Sequence, residues 1–141
     1  FIDRALTQKP LIVHGTGSEA RRFVYVDDLA RAHVLALQDT AENQVYNLEG
    51  AQSVTIRELA ELISSLIGNV KICYQAAKAP ELQYSQWQIN TNKAFRELGW
   101  KPEINIEDGI RRTIQWYQQN LGKRRRAKAA NYERQYPTNL A

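Results

Sequence analysis

Short β-prone runs alternate with amphipathic helical stripes along the first 120 residues, and this order constrains the fold more than any bulk property does. The β-prone runs are Leu11–His14, Phe23–Val26, Val45–Leu48 and Val70–Tyr74. Between and around them lie helical patterns. The clearest is Ile56, Leu59, Ala60, Ile63, Leu66 and Ile67, opened by a Thr55/Glu58 capping-box pair and closed by Gly68. Asp27 is placed to cap an earlier helix in which Leu29, His33 and Leu37 share a face with Ala30 and Val34 beside it, ending near Asp39. Phe1, Ile2, Ala5 and Leu6 form a first helical patch. Asn90 or Thr91 caps a short helix that ends at Leu98–Gly99, and a last helix starts near Glu107, buries Ile110, Ile114, Tyr117 and Leu121, and stops at Gly122. Alternation of this kind predicts an α/β arrangement. With few and short strands, it predicts a small sheet with about four helices that need another layer to pack on.

A chain of 141 residues with 43% hydrophobic content has the size of one domain. No apolar run approaches the roughly 20 residues that span a bilayer, and the opening FIDRALTQKP lacks the layout of a signal peptide. The start on Phe1, inside a helical pattern, leads us to expect a piece of a longer protein. Cys73 is the single cysteine, so neither an intrachain disulfide nor a cysteine-based metal site is expected, and the expected home is the reducing cytoplasm. The net charge of +4 resides in the tail. From Leu121 onward six basic residues (Lys123, Arg124, Arg125, Arg126, Lys128, Arg134) stand against Glu133, which leaves residues 1–120 with one net negative charge. Residues 123–141 are therefore read as a basic, flexible, solvated tail beyond a domain spanning 1–122.

Four blocks in order carry a family resemblance: RRFVYVDDLARAH from Arg21, VYNLEG from Val45, NTNKAFRELGWKP from Asn90 and EDGIRRTIQWY from Glu107. Together they resemble the C-terminal half of extended short-chain dehydrogenase/reductases, nearest in pattern to sugar-nucleotide epimerases and dehydratases. The resemblance implies the C-terminal substrate-binding portion of a Rossmann-type enzyme, incomplete without its N-terminal half. That half would bind NAD or NADP through a Gly-x-x-Gly-x-x-Gly turn and carry a catalytic Tyr-x-x-x-Lys pair. Gly15-Thr16-Gly17 has no third glycine at the needed spacing and matches the family's loop beside the nucleotide base. Tyr74-Gln75-Ala76-Ala77-Lys78 spells Tyr-x-x-x-Lys, but Tyr74 ends a β-prone run rather than lying on a helix, so the spelling is read as chance and no catalytic residue is expected here.

By the same resemblance, Arg21 occupies the position of an arginine that reaches the substrate diphosphate, a task suited to a planar, permanently charged fork of donors. Arg22 stands where the family usually has Asp, which leaves open which arginine faces the ligand. Ile12, Val13 and His14 match the strand that lines the nucleotide base, with His14 able to stack on it or to be an ordinary solvated histidine. Phe23 is either core or base-facing. Lys78, within Lys78-Ala79-Pro80-Glu81, aligns with a second phosphate-binding arginine, and Asn90 replaces a usual Asp. Asp27, Asp28, Asn47, Thr55, Glu58, Trp100 and Pro102 are assigned to structure, His33 to a buried helical stripe, and Trp116 and Tyr117 to the core. The implied partners are a nucleotide-sugar substrate and the N-terminal Rossmann half, with room for a homodimer and none for a membrane. Two alternatives stand beside this reading. One is a non-catalytic binding module using the basic tail for polyanions; without interleaved aromatics, nucleic acid is the less expected target. The other is a member of the same superfamily acting on a different substrate.

Overall fold

The computed structural model describes residues 1–77 and 89–135, with side chains described through Asn120. The elements run α1 (Ile2–Leu6), β1 (Leu11–His14), β2 (Ala20–Arg21), α2 (Val26–Leu35), a 3₁₀ turn (Asp39–Ala41), β3 (Val54–Thr55), α3 (Ile56–Ile67), β4 (Ile72–Gln75), α4 (Asn92–Leu98) and α5 (Ile106–Gln135). β1 pairs in parallel with β4, Leu11 opposite Ile72 and His14 opposite Gln75. β2 pairs antiparallel with β3, Arg21 opposite Val54. The α/β class holds, with five α-helices among the described residues where the sequence suggests about four.

α3 forms as its sequence dictates. Thr55 Oγ1 accepts the Glu58 amide at 3.1 Å while Glu58 Oε2 accepts the Thr55 amide at 2.7 Å, which satisfies two donors that a helix start otherwise leaves orphaned. Gly68 ends the helix at φ +111°. Ala60 and Ile63 are buried, and they join Ala5, Leu11, Val13 and Val70 in one core. The buried Ser64 hydroxyl donates to the Val70 carbonyl at 2.6 Å and so ties the end of α3 to the approach to β4.

A second core gathers Ala32, Ala41, Ala94, Leu98 and Trp100. Here the structure departs from the sequence pattern. His33 is exposed, Val34 and Leu37 are 67% and 83% exposed, and the inward residues of α2 are Asp28, Ala32 and Leu35. The reason is Asp28. Its carbonyl accepts the Trp100 indole N–H at 2.8 Å, and its Oδ2 accepts the amides of Ile104 and Glu103 at 2.9 and 3.0 Å. Oδ1 lies 3.1 Å from Arg31 Nη2. These bonds fix which face of α2 turns inward, and the apolar stripe is left outside. Asp27 does not cap the helix. It is exposed and lies 3.5 Å from Arg112. Trp100 packs α4 onto α2, and Trp116 is half exposed rather than core.

Two expected strands are absent from the ladders of the described residues. Residues 22–25 join no ladder and lead directly into α2, and Val45–Leu48 joins none either, with Tyr46 and Leu48 packed on the second core and Val45 outward. The two segments lie main chain against main chain. A Cβ added to Gly50 would meet the Phe23 carbonyl oxygen at 1.8 Å, so only glycine fits there. α5 also differs from expectation, because it passes through Gly122 and continues to Gln135. Gly122 is a single weak position followed by Lys, Arg and Ala, all strong helix formers, and nothing local forces a stop.

Two outcomes follow. Burial raises the Asp28 carboxyl, but the hydrogen bonds from Ile104, Arg31 and Glu103, with the charge of Arg31, outweigh it and hold the group below its ordinary value of 3.8. Its stabilising contribution is therefore complete above that value and is lost as pH falls through the lower folded-state value. Asp28→Asn should reduce stability by about 1.5–3 kcal/mol at pH 7 and flatten the acid limb of the stability profile; urea unfolding at pH 7 and pH 3 that matches wild type would refute this role. Gly50→Ala should cost about 1–3 kcal/mol, measured as a lowered thermal midpoint, and an unchanged midpoint would show that the two segments separate freely.

Candidate functional site

The antiparallel β2–β3 pair brings Arg21 beside Val54, and the glycine contact at Phe23 and Gly50 holds residues 22–25 against 48–50. Between these segments opens a cleft of about 420 Å³ lined by Ala20, Arg21, Arg22, Leu48, Glu49, Ser53 and Ile89. A second cleft of about 630 Å³ adjoins it, sharing Arg22, Glu49 and Ile89 and adding Asn90, Thr91, Asn92, Lys101 and Pro102. Cations, amides and a hydroxyl on one concave surface can bind an oxyanion.

The two arginines are held differently. Arg21 donates through Nη1 to the Ala20 carbonyl at 2.9 Å and through Nη2 to the Glu19 carboxylate, both at the surface end of the cleft. Arg22 is more withdrawn from water. Its Nη1 donates to the Ala51 carbonyl at 3.1 Å and the Gly50 carbonyl at 3.4 Å, and it lies 3.7 Å from Glu49 Oε1. Glu49 Oε2 accepts the Ile89 amide at 3.4 Å. Asn90 Oδ1 accepts the Asn92 amide at 2.9 Å, so Asn90, rather than Thr91 at the cap position, serves the start of α4.

The other expected site residues lie apart from this cleft. Val13 is fully buried in the first core, while Ile12 is half-buried and His14 exposed on the opposite face of β1. Phe23 is 40% exposed and borders a separate apolar cavity of about 200 Å³ with Tyr25, Leu59, Ile104, Gly109 and Ile110. Tyr74 lies in β4, a strand, as the chance reading of Tyr-x-x-x-Lys requires; Lys78 lies outside the described residues. Sequence reasoning missed Glu49, Ser53 and Ile89. Glu49 could have been suspected, since it follows the VYNL run at the strand's mouth, but nothing in the sequence places Ser53 or Ile89 beside Arg21.

Gly15-Thr16-Gly17 does not fit a dinucleotide pyrophosphate. Gly17 packs so closely on Val13 and Arg57 that an added Cβ would meet Val13 Cγ1 at 2.8 Å, and its carbonyl accepts the Arg57 amide at 3.0 Å. The close approach is spent on seating α3. Among the described residues, no group of three or more His, Cys, Asp or Glu side chains is placed to hold a metal ion, and no helix is long and apolar enough to cross a membrane.

Comparison with known proteins gives a consistent result. The family model described as GDP-mannose 4,6 dehydratase matches residues 1–113. UDP-glucuronate 4-epimerase of Thermodesulfobacterium geofontis is 32% identical over 127 residues, covering 86% of this chain and 37% of that protein. A probable dTDP-glucose 4,6-dehydratase of Sinorhizobium fredii is 33% identical over 127 residues, covering 85% of this chain and 36% of that protein. Among solved structures, the Bordetella bronchiseptica enzyme WbmF in complex with NAD+ and UDP superposes with a TM-score of 0.75 at 31% identity, covering 86% of this chain and 36% of WbmF. This chain thus spans little more than a third of the length of the enzymes it matches. The order of the four sequence blocks, the small parallel sheet and these likenesses agree: the chain belongs to the sugar-nucleotide epimerase and dehydratase family of extended short-chain dehydrogenase/reductases.

Proposed function

We propose that this chain is the substrate-binding part of an NAD(P)-dependent sugar-nucleotide epimerase or dehydratase, and that an N-terminal Rossmann half binds the cofactor and performs the hydride chemistry. The observation that carries the reading is the cleft at the β2–β3 pair, where Arg21 stands on a rigid two-strand support among polar groups. Arg21 takes the substrate diphosphate. The base is assigned to Ile12 and His14, with Val13 contributing main chain only, and to Phe23, while Lys78 supplies a further cation. The UDP in the related WbmF structure supports a uridine or similar nucleotide as the ligand class. Residues 1–122 form this part, and the basic residues from Lys123 onward are an accessory to it.

Two surfaces support a packed N-terminal half. α2 presents Val26, Ala30 and Val34 outward, followed by the exposed Leu37 just past its end, an apolar surface that a soluble helix ordinarily covers. Beside it, Val45–Leu48 keeps the alternating burial of a strand with no ladder partner among the described residues. A sheet edge joined to a helix-covered face would serve both.

Calorimetric titration of the chain with UDP and UDP-glucose should show binding, and Arg21→Ala should weaken it by about 10- to 100-fold, the range for one charge-assisted hydrogen bond. With NAD and the same sugars the chain by itself should give no product. Turnover would overturn the division of labour, and wild-type affinity in Arg21→Ala would remove the diphosphate role.

A further inference from the structure

Arg22, with Glu49 and Ile89, is shared by the two adjoining clefts, and its polar contacts among the described residues run through a single nitrogen. Nη1 meets the carbonyls of Gly50 and Ala51 and the Glu49 carboxylate. Nε and Nη2 have no hydrogen-bond partner among the described residues, although the side chain is only 25% exposed. With its polar contacts gathered at Nη1 at one corner, the guanidinium has one edge left to offer. That edge, Nε–H with Nη2–H, is a parallel fork that matches two oxygens of a phosphate.

The surroundings decide what it can take. Glu49 sits on the anchored side, where its negative charge steadies Nη1 and turns an anion away from that corner. Arg21 lines the first cleft and the exposed Lys101 the second. Arg21 is partly committed to Glu19 and the Ala20 carbonyl, and an exposed pair of that kind yields to a phosphate at little cost. A diphosphate carries more charge than one guanidinium can neutralise. Two neighbouring forks can share it.

We propose that Arg22 is a second anion ligand of this cleft and binds the diphosphate of a nucleoside diphosphate together with Arg21. The assignment rests on the substrate-binding reading above and adds to it a residue that stands where relatives of this pattern usually have an acid. Arg22 is thereby a binding residue, pre-oriented by the main chain of Gly50 and Ala51, and not merely a surface charge.

The test is calorimetric titration of the whole chain with UDP and with UMP, for wild type, Arg21→Ala, Arg22→Ala and Arg22→Lys. Arg22→Ala should lower UDP affinity at least tenfold and UMP affinity by less, while Arg22→Lys, which keeps the charge and loses the fork, should fall between. Circular dichroism and thermal midpoints check that each variant is folded. Should Arg22→Ala unfold, Arg22→Lys carries the comparison, and full UDP affinity in that variant would refute the forked contact. UDP binding that is lost in Arg21→Ala but unchanged in Arg22→Ala would overturn the role of Arg22 and leave the substrate-binding reading standing. Equal losses for UDP and UMP would overturn the diphosphate assignment. A wild-type chain that binds neither nucleotide would sink both the proposal and the reading beneath it.

Discussion

The buried carboxylate of Asp28 is the constraint on which the rest of the arrangement depends. It gathers two amides and a guanidinium, while its own carbonyl takes the indole of Trp100. An ionised group this deep is tolerated because its lone pairs are occupied; an unpaired charge there would be costly. Through it, α2 is locked to the loop between α4 and α5, and the second core closes around Trp100. Tyr25, immediately before α2, is held as well: its ring lies against Gly109 of α5 and under Arg112, whose Cζ is 5.6 Å from the ring centroid. The RRFVYVDD segment is thus pinned from its helical end, and the arginines at its other end project from a fixed frame.

What could be read from sequence divides along the range of the forces involved. α3 was legible to its caps because a capping box, an apolar stripe and a terminal glycine all act within one or two turns. The inward face of α2 was not, because it is chosen by partners 72 to 76 residues away, and a rotation of that helix leaves its hydrophobic stripe equally periodic. Phe23–Val26 illustrates a second kind of failure. β propensity pointed to a strand, but Val26 opens α2 and the neighbouring chain approaches Phe23 through Gly50 without forming a ladder, a matter of main-chain proximity that composition does not encode. Gly122 failed for the opposite reason: a local stop signal was outweighed by the helix formers on either side of it.

The site was partly legible in the same way. Arg21 could be singled out by its flanks, whereas Glu49, Ser53 and Ile89 join it only once β2 has paired with β3 and residues 48–50 have folded back on residues 22–25. The strand read as base-lining proved to alternate, so Val13 serves the core and its two neighbours face outward.

The contact between Gly50 and Phe23 carries one more consequence. Because Gly50 meets Phe23 main chain to main chain, the spacing of the two segments at that point does not depend on the volume of a side chain at position 50. Lining residues such as Arg22, Glu49 and Ser53 can therefore be exchanged during divergence without altering that spacing. A lineage could retune which anion or sugar it admits by rewriting those residues, while the glycine that keeps the two chains together is the position least free to change.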